Sequence, residues 1–284
     1  MYNPESRYIE SLTLDQAERK AQAFLRAEAI NMDDRKFRDF YHDQVVNEDK
    51  AYVEKMERTF ENEATPDTKN RLKLATIFEA IIHENAELSD WFGPDAHTFK
   101  SSRYDDIKNG VDSIVELREP KENSTSHLAL GIDATISVDL DKKFERIRKE
   151  IEHGELSHVK YFFSEYTDLQ EKPLEIPRVV IGADAKTIKG LAEMWLEGKK
   201  RDLGTHPIQF QILEEIMEQL DAFQEYATRM QKPHIAEAYE RTKKLITMIS
   251  GAKRSTMADS SDRDDVFYAI VDHARSFRSF PPSH

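Results

Sequence analysis

Two aspartates interrupt apolar runs, Asp112 in "NGVDSIVEL" and Asp133 in "LALGIDATIS". An isolated ionised carboxylate is costly to bury, so two of them on neighbouring segments need a shared partner: a cation, a metal or a proton. The polar stretch "PKENSTS" between the runs reads as a hairpin-type loop, which makes the two segments antiparallel neighbours if both are strands. Alternation then sets Asp133, Thr135 and Ser137 on one face, and Asp112 with Ile114 and Glu116. Paired oxygen ligands on adjacent strands suit Mg²⁺ or Mn²⁺. The plainer alternative is that Asp112 caps a strand start and Asp133 accepts local hydrogen bonds.

Two helices can complete such a site. In "LDKKFERIRKEIEH", Leu140, Phe144, Ile147 and Ile151 form a buried stripe. A step of about 100° per residue puts Lys143 roughly 60° from the stripe centre, with Lys142 and Lys149 pointing away. In "RLKLATIFEAIIHENAELSD" the stripe is Leu74, Phe78, Ile81, Ile82 and Leu88, which leaves Glu84 as the better inward acid and turns Glu79 and His83 further round. Singly, each of these charged residues also fits a solvated helix flank.

The rest of the chain must position these groups. Its 284 residues, 39% hydrophobic and 33% charged, are enough for one large core or two modest ones. The absence of cysteine excludes disulfides and thiolate chemistry, so a metal would sit on oxygen or imidazole. A net charge of −13 confines any attraction for phosphate to a local basic face. No apolar run is long enough to span a membrane and the first residues lack a signal-peptide pattern, which leads to an expected cytoplasmic location without membrane partners.

Residues 1–70 read as solvated helices, ended by Pro66 in "EATPDTKN". A helix follows over 71–90, then strand-like runs near 111–117, 128–137, 158–163 and 178–182, with a helix between the second and third. Asp184 can cap a helix through about Gly198, and 207–250 forms two more helices split at Pro233. "SGAKRSTMADSSDRDD" reads as a flexible linker before a short last helix. The fold class expected is α+β.

This order of elements resembles the PD-(D/E)XK nuclease superfamily, whose restriction-endonuclease-like core runs αβββαβ. The matching segments are the 71–90 helix, a first strand within "TFKSSRYDDIKNG", then "VDSIVEL", "LALGIDATIS", "DKKFERIRKEI" and "HVKYFFS". The resemblance implies that Glu84 is the first-helix acid, Asp112 the strand aspartate and Asp133 the first member of the triplet, together holding Mg²⁺ or Mn²⁺. The triplet here is Asp133-Ala134-Thr135, so the usual lysine is missing at its end; some relatives carry it on the following helix, where Lys143 lies. On this basis the chain divides into an N-terminal helical extension (1–70), a nuclease-like α/β core (71–200), C-terminal helices (201–250) and a linker with tail (251–284).

Three readings of function follow. The first is a metal-dependent nuclease using Asp112, Asp133, Lys143 and Glu84, with Lys142, Arg146, Arg148 and Lys149 near the nucleic acid. The second is a catalytically inactive relative that serves as a protein-interaction or regulatory module. The third is a helical scaffold whose aspartates are structural. The apolar faces of the C-terminal helices leave room for a homodimer.

Overall fold

The computed structural model describes residues 4–119, 126–164, 174–255, 257, 259 and 262–280. Helices α1 (Pro4–Glu28), α2 (Arg35–Tyr41), α3 (Asp43–Glu63) and α4 (Pro66–Leu88) lead into strand β1 (Ala96–Lys100). A π-helical turn (Asp105–Asn109) separates β1 from β2 (Ser113–Glu119), and β3 (Ser126–Thr135) is followed by helix α5 (Asp141–His153). Strands β4 (Ser157–Val159), β5 (Leu174–Ile176) and β6 (Arg178–Gly182) come next. Helices α6 (Ala185–Leu196), α7 (Lys200–Gly204), α8 (Ile208–Arg229), α9 (Pro233–Arg254) and α10 (Asp265–Ser276) complete an α+β fold. No helix among the described residues is long and apolar enough to cross a membrane.

Local chemistry sets the helix starts. Thr65 accepts from the Thr68 amide at 3.2 Å with Pro66 in the first helical turn, Asp184 accepts from Thr187 at 2.7 Å, and Asp264 accepts from Phe267 at 3.0 Å. Each satisfies an amide that the helix itself cannot pair.

The main sheet has the order β1-β2-β3-β6, antiparallel through β3 and parallel between β3 and β6. It is apolar on both faces. Val115, Leu117, Leu130 and Ile132 enter the main core, while Ile114 and Ala129 join Val159, Phe162 and Ile176 in a smaller cluster. The outer edge of β6 is closed by side chains of α8 rather than by another strand. Gln219 accepts from the Val180 amide at 2.8 Å and donates to the Val180 carbonyl at 2.6 Å; Glu215 accepts from the Gly182 amide at 2.9 Å, and Gln211 donates to the Gly182 carbonyl at 3.0 Å. The buried edge is thereby satisfied and cannot pair with another chain.

Several expectations are corrected. The run 158–163 is not a strand of the main sheet: only β4 forms, paired with β5 in a separate two-stranded sheet. The Asp105 carboxylate takes the Lys160 and Tyr161 amides at 2.7 and 2.9 Å, so these donors do not enter a ladder. The parallel neighbour of β3 is β6. Helix α1 is not wholly solvated, because Leu14, Ala17, Ala21 and Leu25 are buried in the main core. Leu88 is exposed, and Trp91 and Phe92 fill the core beyond the end of α4. The expected linker begins inside α9, and Arg263 ties its far end to Glu214 at 2.7 Å and to Asp259 at 3.1 Å. Residues 120–125 of the expected hairpin loop lie outside the described residues.

Candidate functional site

The antiparallel register ends with Ser113 paired to Ile132, and Asp112, the residue before β2, lies beside Ile132 and Ala134 of β3. The Asp112 amide donates to the Ile132 carbonyl at 2.8 Å, and Asp112 Oδ2 accepts from the Ala134 amide at 2.8 Å. Both aspartates line a cleft of about 390 Å³. The Asp133 carboxylate disfavours charge on Asp112, so the arrangement is held by what surrounds it.

Lys143, from the first turn of α5, forms an ion pair with Asp133 and approaches the Ala134 carbonyl at 3.4 Å. Helix α4 lines the cleft with Leu72, Ala75, Thr76 and Glu79, an i, i+3, i+4, i+7 row. The acid that α4 contributes is therefore Glu79. Glu84 lies five residues on, about 140° round the helix, where its carboxylate accepts from the Trp195 indole instead. The row at 72, 75, 76 and 79 was the available signal; centring the helix on its most apolar stripe concealed it.

Sequence reasoning also missed Lys100 and Asp106. Lys100 ends β1 with only 6% exposure, and its Nζ lies 2.7 Å from Glu79 Oε1, 3.0 Å from the Asp112 carbonyl and 3.4 Å from Asp106 Oδ2. Arg103 reaches Asp106 at 2.7 Å and Glu57 at 2.7 Å. Lys142 and Arg146 also line the cleft, so Lys142 does not point wholly away. Arg148 and Lys149 pair with Glu145 at 2.7 and 3.4 Å. Thr135 does not line the cleft, and its hydroxyl accepts from the Ser137 amide at 3.2 Å.

Two residues shape the loop that carries Asp112. Gly110 has φ +67°, and a Cβ there would lie 2.9 Å from Arg178 Nη1. Arg178, 1% exposed, donates to the Asn109 carbonyl, to the Gly110 carbonyl at 3.2 Å and to Glu150 at 2.9 Å. It thereby ties the π-helical turn to α5.

The charges do not balance evenly. Glu79 and Asp106 face Lys100, Asp106 also faces Arg103, and Asp133 faces Lys143. Among the described residues, Asp112 is the one acid of the four without an ion pair. Burial, then the Asp106, Asp133 and Glu79 carboxylates, push Asp112 well above the usual carboxylate range, with Lys100 opposing. Burial works against the charged form of Lys143, yet Asp133 and Asp112 outweigh it and keep its ammonium above the ordinary lysine range.

No three acidic or imidazole groups converge as a ready-made metal cage among the described residues. Two carboxylates lining one cleft still fit a hard cation that keeps several waters, as Mg²⁺ does when one or two acids hold it. Asp112 and Asp133 each have one carboxylate oxygen that accepts no hydrogen bond among the described residues. No protein-family model, curated protein or solved structure matches this chain.

Proposed function

We propose that the chain is a divergent PD-(D/E)XK nuclease-like protein that hydrolyses phosphodiester bonds of nucleic acid. The observation that carries this reading is Asp112, an acid without an ion pair among the described residues, at a cleft that Asp133 also lines and Lys143 enters. The order of α4, β1 to β3 and α5 supports it; the last strand beside β3 is β6, which follows the short β4 and β5, in place of the segment over 158–163 that the resemblance assigned.

In this reading Asp112 and Asp133 hold Mg²⁺ or Mn²⁺, which when bound lowers the pKa of a water and stabilises charge on the phosphoryl oxygens. Lys143 takes the part of the missing triplet lysine: its ammonium orients the attacking water and offsets charge that develops in the transition state. Lys142 and Arg146, on the rim, position the phosphate backbone. Glu79 replaces Glu84 as the first-helix acid, acting through Lys100.

The test is cleavage by purified protein of single- and double-stranded DNA and of RNA, with Mg²⁺ and Mn²⁺, alongside Asp133→Asn. Cation-dependent cleavage that Asp133→Asn abolishes is the expected result. A second reading, a non-catalytic interaction module of the same fold, is favoured by the ion pair already closed between Lys143 and Asp133. Calorimetry without Mg²⁺ or Mn²⁺ binding, together with no cleavage, would select it.

A further inference from the structure

Lys100 stands where a cation is expected, yet it belongs to the chain. Its Nζ sits among a carboxylate oxygen of Glu79, the backbone carbonyl of Asp112 and a carboxylate oxygen of Asp106, at 2.7, 3.0 and 3.4 Å. All three are oxygen ligands of the kind that hard divalent ions take, and they come from separate parts of the chain: α4, the residue before β2 and the π-helical turn. A surface lysine that pairs with one acid is commonplace; one that is 6% exposed and faces three oxygens from three elements is a resident counter-ion. Lys100 also lies next to the second candidate cation position, because the Asp112 whose carbonyl it contacts lines the same cleft as Asp133.

We infer that Lys100 occupies a cation position that a divalent ion would otherwise fill, so that the cleft is built for one exchangeable metal ion beside one fixed ammonium. The inference deepens the metal reading of the same cleft and rests on it only for the exchangeable ion. The consequence is specific. Removing the ammonium while keeping Glu79, Asp106 and the Asp112 carbonyl should create a divalent-ion site that the natural chain lacks.

The experiment is Mn²⁺ titration of the full chain by calorimetry and by electron paramagnetic resonance of free Mn²⁺, comparing wild type with Lys100→Met and Lys100→Arg. Lys100→Met should bind one more Mn²⁺ per chain than wild type, and Lys100→Arg, which keeps a cation, should bind no more. Adding Glu79→Gln to Lys100→Met should remove the gained ion. A wild type that binds none while Lys100→Met binds one would defeat the proposed metal-dependent activity yet uphold this inference. Equal stoichiometry in wild type and Lys100→Met would overturn it, as would a gained ion that survives Glu79→Gln. If Lys100→Met is too unstable to titrate, its recovery on refolding decides the same point: recovery that Mn²⁺ improves no more than for wild type overturns the inference.

Discussion

Asp133, near the end of β3, and Lys143, in the first turn of α5, form an ion pair across the turn that joins the two elements. The pair gives the cleft an ammonium from a helix, where the triplet itself ends in Thr135. Lys143→Met should lower cleavage by roughly 100-fold or more, because it removes a charge used in the transition state. Mg²⁺ binding should be no weaker, since Asp133 is then freed from its partner. Lys142→Met, on the exposed rim, loses a contact to the phosphate backbone and should raise KM while changing kcat by less than about threefold. Steady-state rates and calorimetry on both variants check this; equal losses would remove Lys143 from the reaction.

Asp112 should make the metal-free protein less stable as pH rises. Its folded pKa is raised by burial and by Asp106, Asp133 and Glu79, against an unfolded value of about 3.9. The stability tied to this group is complete below the unfolded value and is lost as pH rises through the folded one. Urea midpoints from acid to neutral pH should fall for wild type and fall less for Asp112→Asn. Millimolar Mg²⁺ should flatten the wild-type profile. Superimposable profiles for the two proteins would contradict the prediction.

Glu79 and Glu84 should separate cleanly. Glu84→Ala loses the hydrogen bond from Trp195 and should cost about 1–2 kcal/mol of stability without altering Mg²⁺ affinity. Glu79→Ala leaves Lys100 short of its nearest carboxylate and should weaken Mg²⁺ binding by roughly tenfold. Chemical denaturation and calorimetry on each variant distinguish the two roles, and the reverse pattern would restore Glu84 to the cleft.

Arg178→Met should be among the most destabilising single changes in the sheet. It leaves Glu150 and two carbonyls of the turn before Asp112 without their donor, a loss of about 3–5 kcal/mol for a buried ion pair broken on one side. The turn should loosen with it. Amide hydrogen exchange at Asn109, Gly110 and Asp112 should accelerate more than exchange in α8. Uniform acceleration across the chain would mean that Arg178 supports the whole fold rather than this turn.

Much of this was legible in the sequence. Hydrophobic periodicity located α4, α5, α8 and α9, and Pro233 marked the break between the last two. Strand-like runs and the polar segment between them paired β2 with β3, and Asp112 and Asp133, at one end of that ladder, line the same cleft. The arithmetic of α5 singled out Lys143, because the direction of one side chain from a helix depends only on a local repeat. Which acid of α4 meets the sheet was not local. It depends on how the helix is rolled against β1 and β3, and that roll is decided by packing along its whole length, so Glu79 rather than Glu84 reaches the cleft. Lys100 and Asp106 stayed hidden because ordinary charged residues in short segments carry no periodic signal. The partners of Lys100 lie 21 residues back on α4 and 6 residues ahead on the π-helical turn, joined only when the chain has folded. The run at 158–163 failed for the same reason: its apolar pattern suited a strand, but the carboxylate of Asp105, more than 50 residues earlier, took the amides that a strand would have needed.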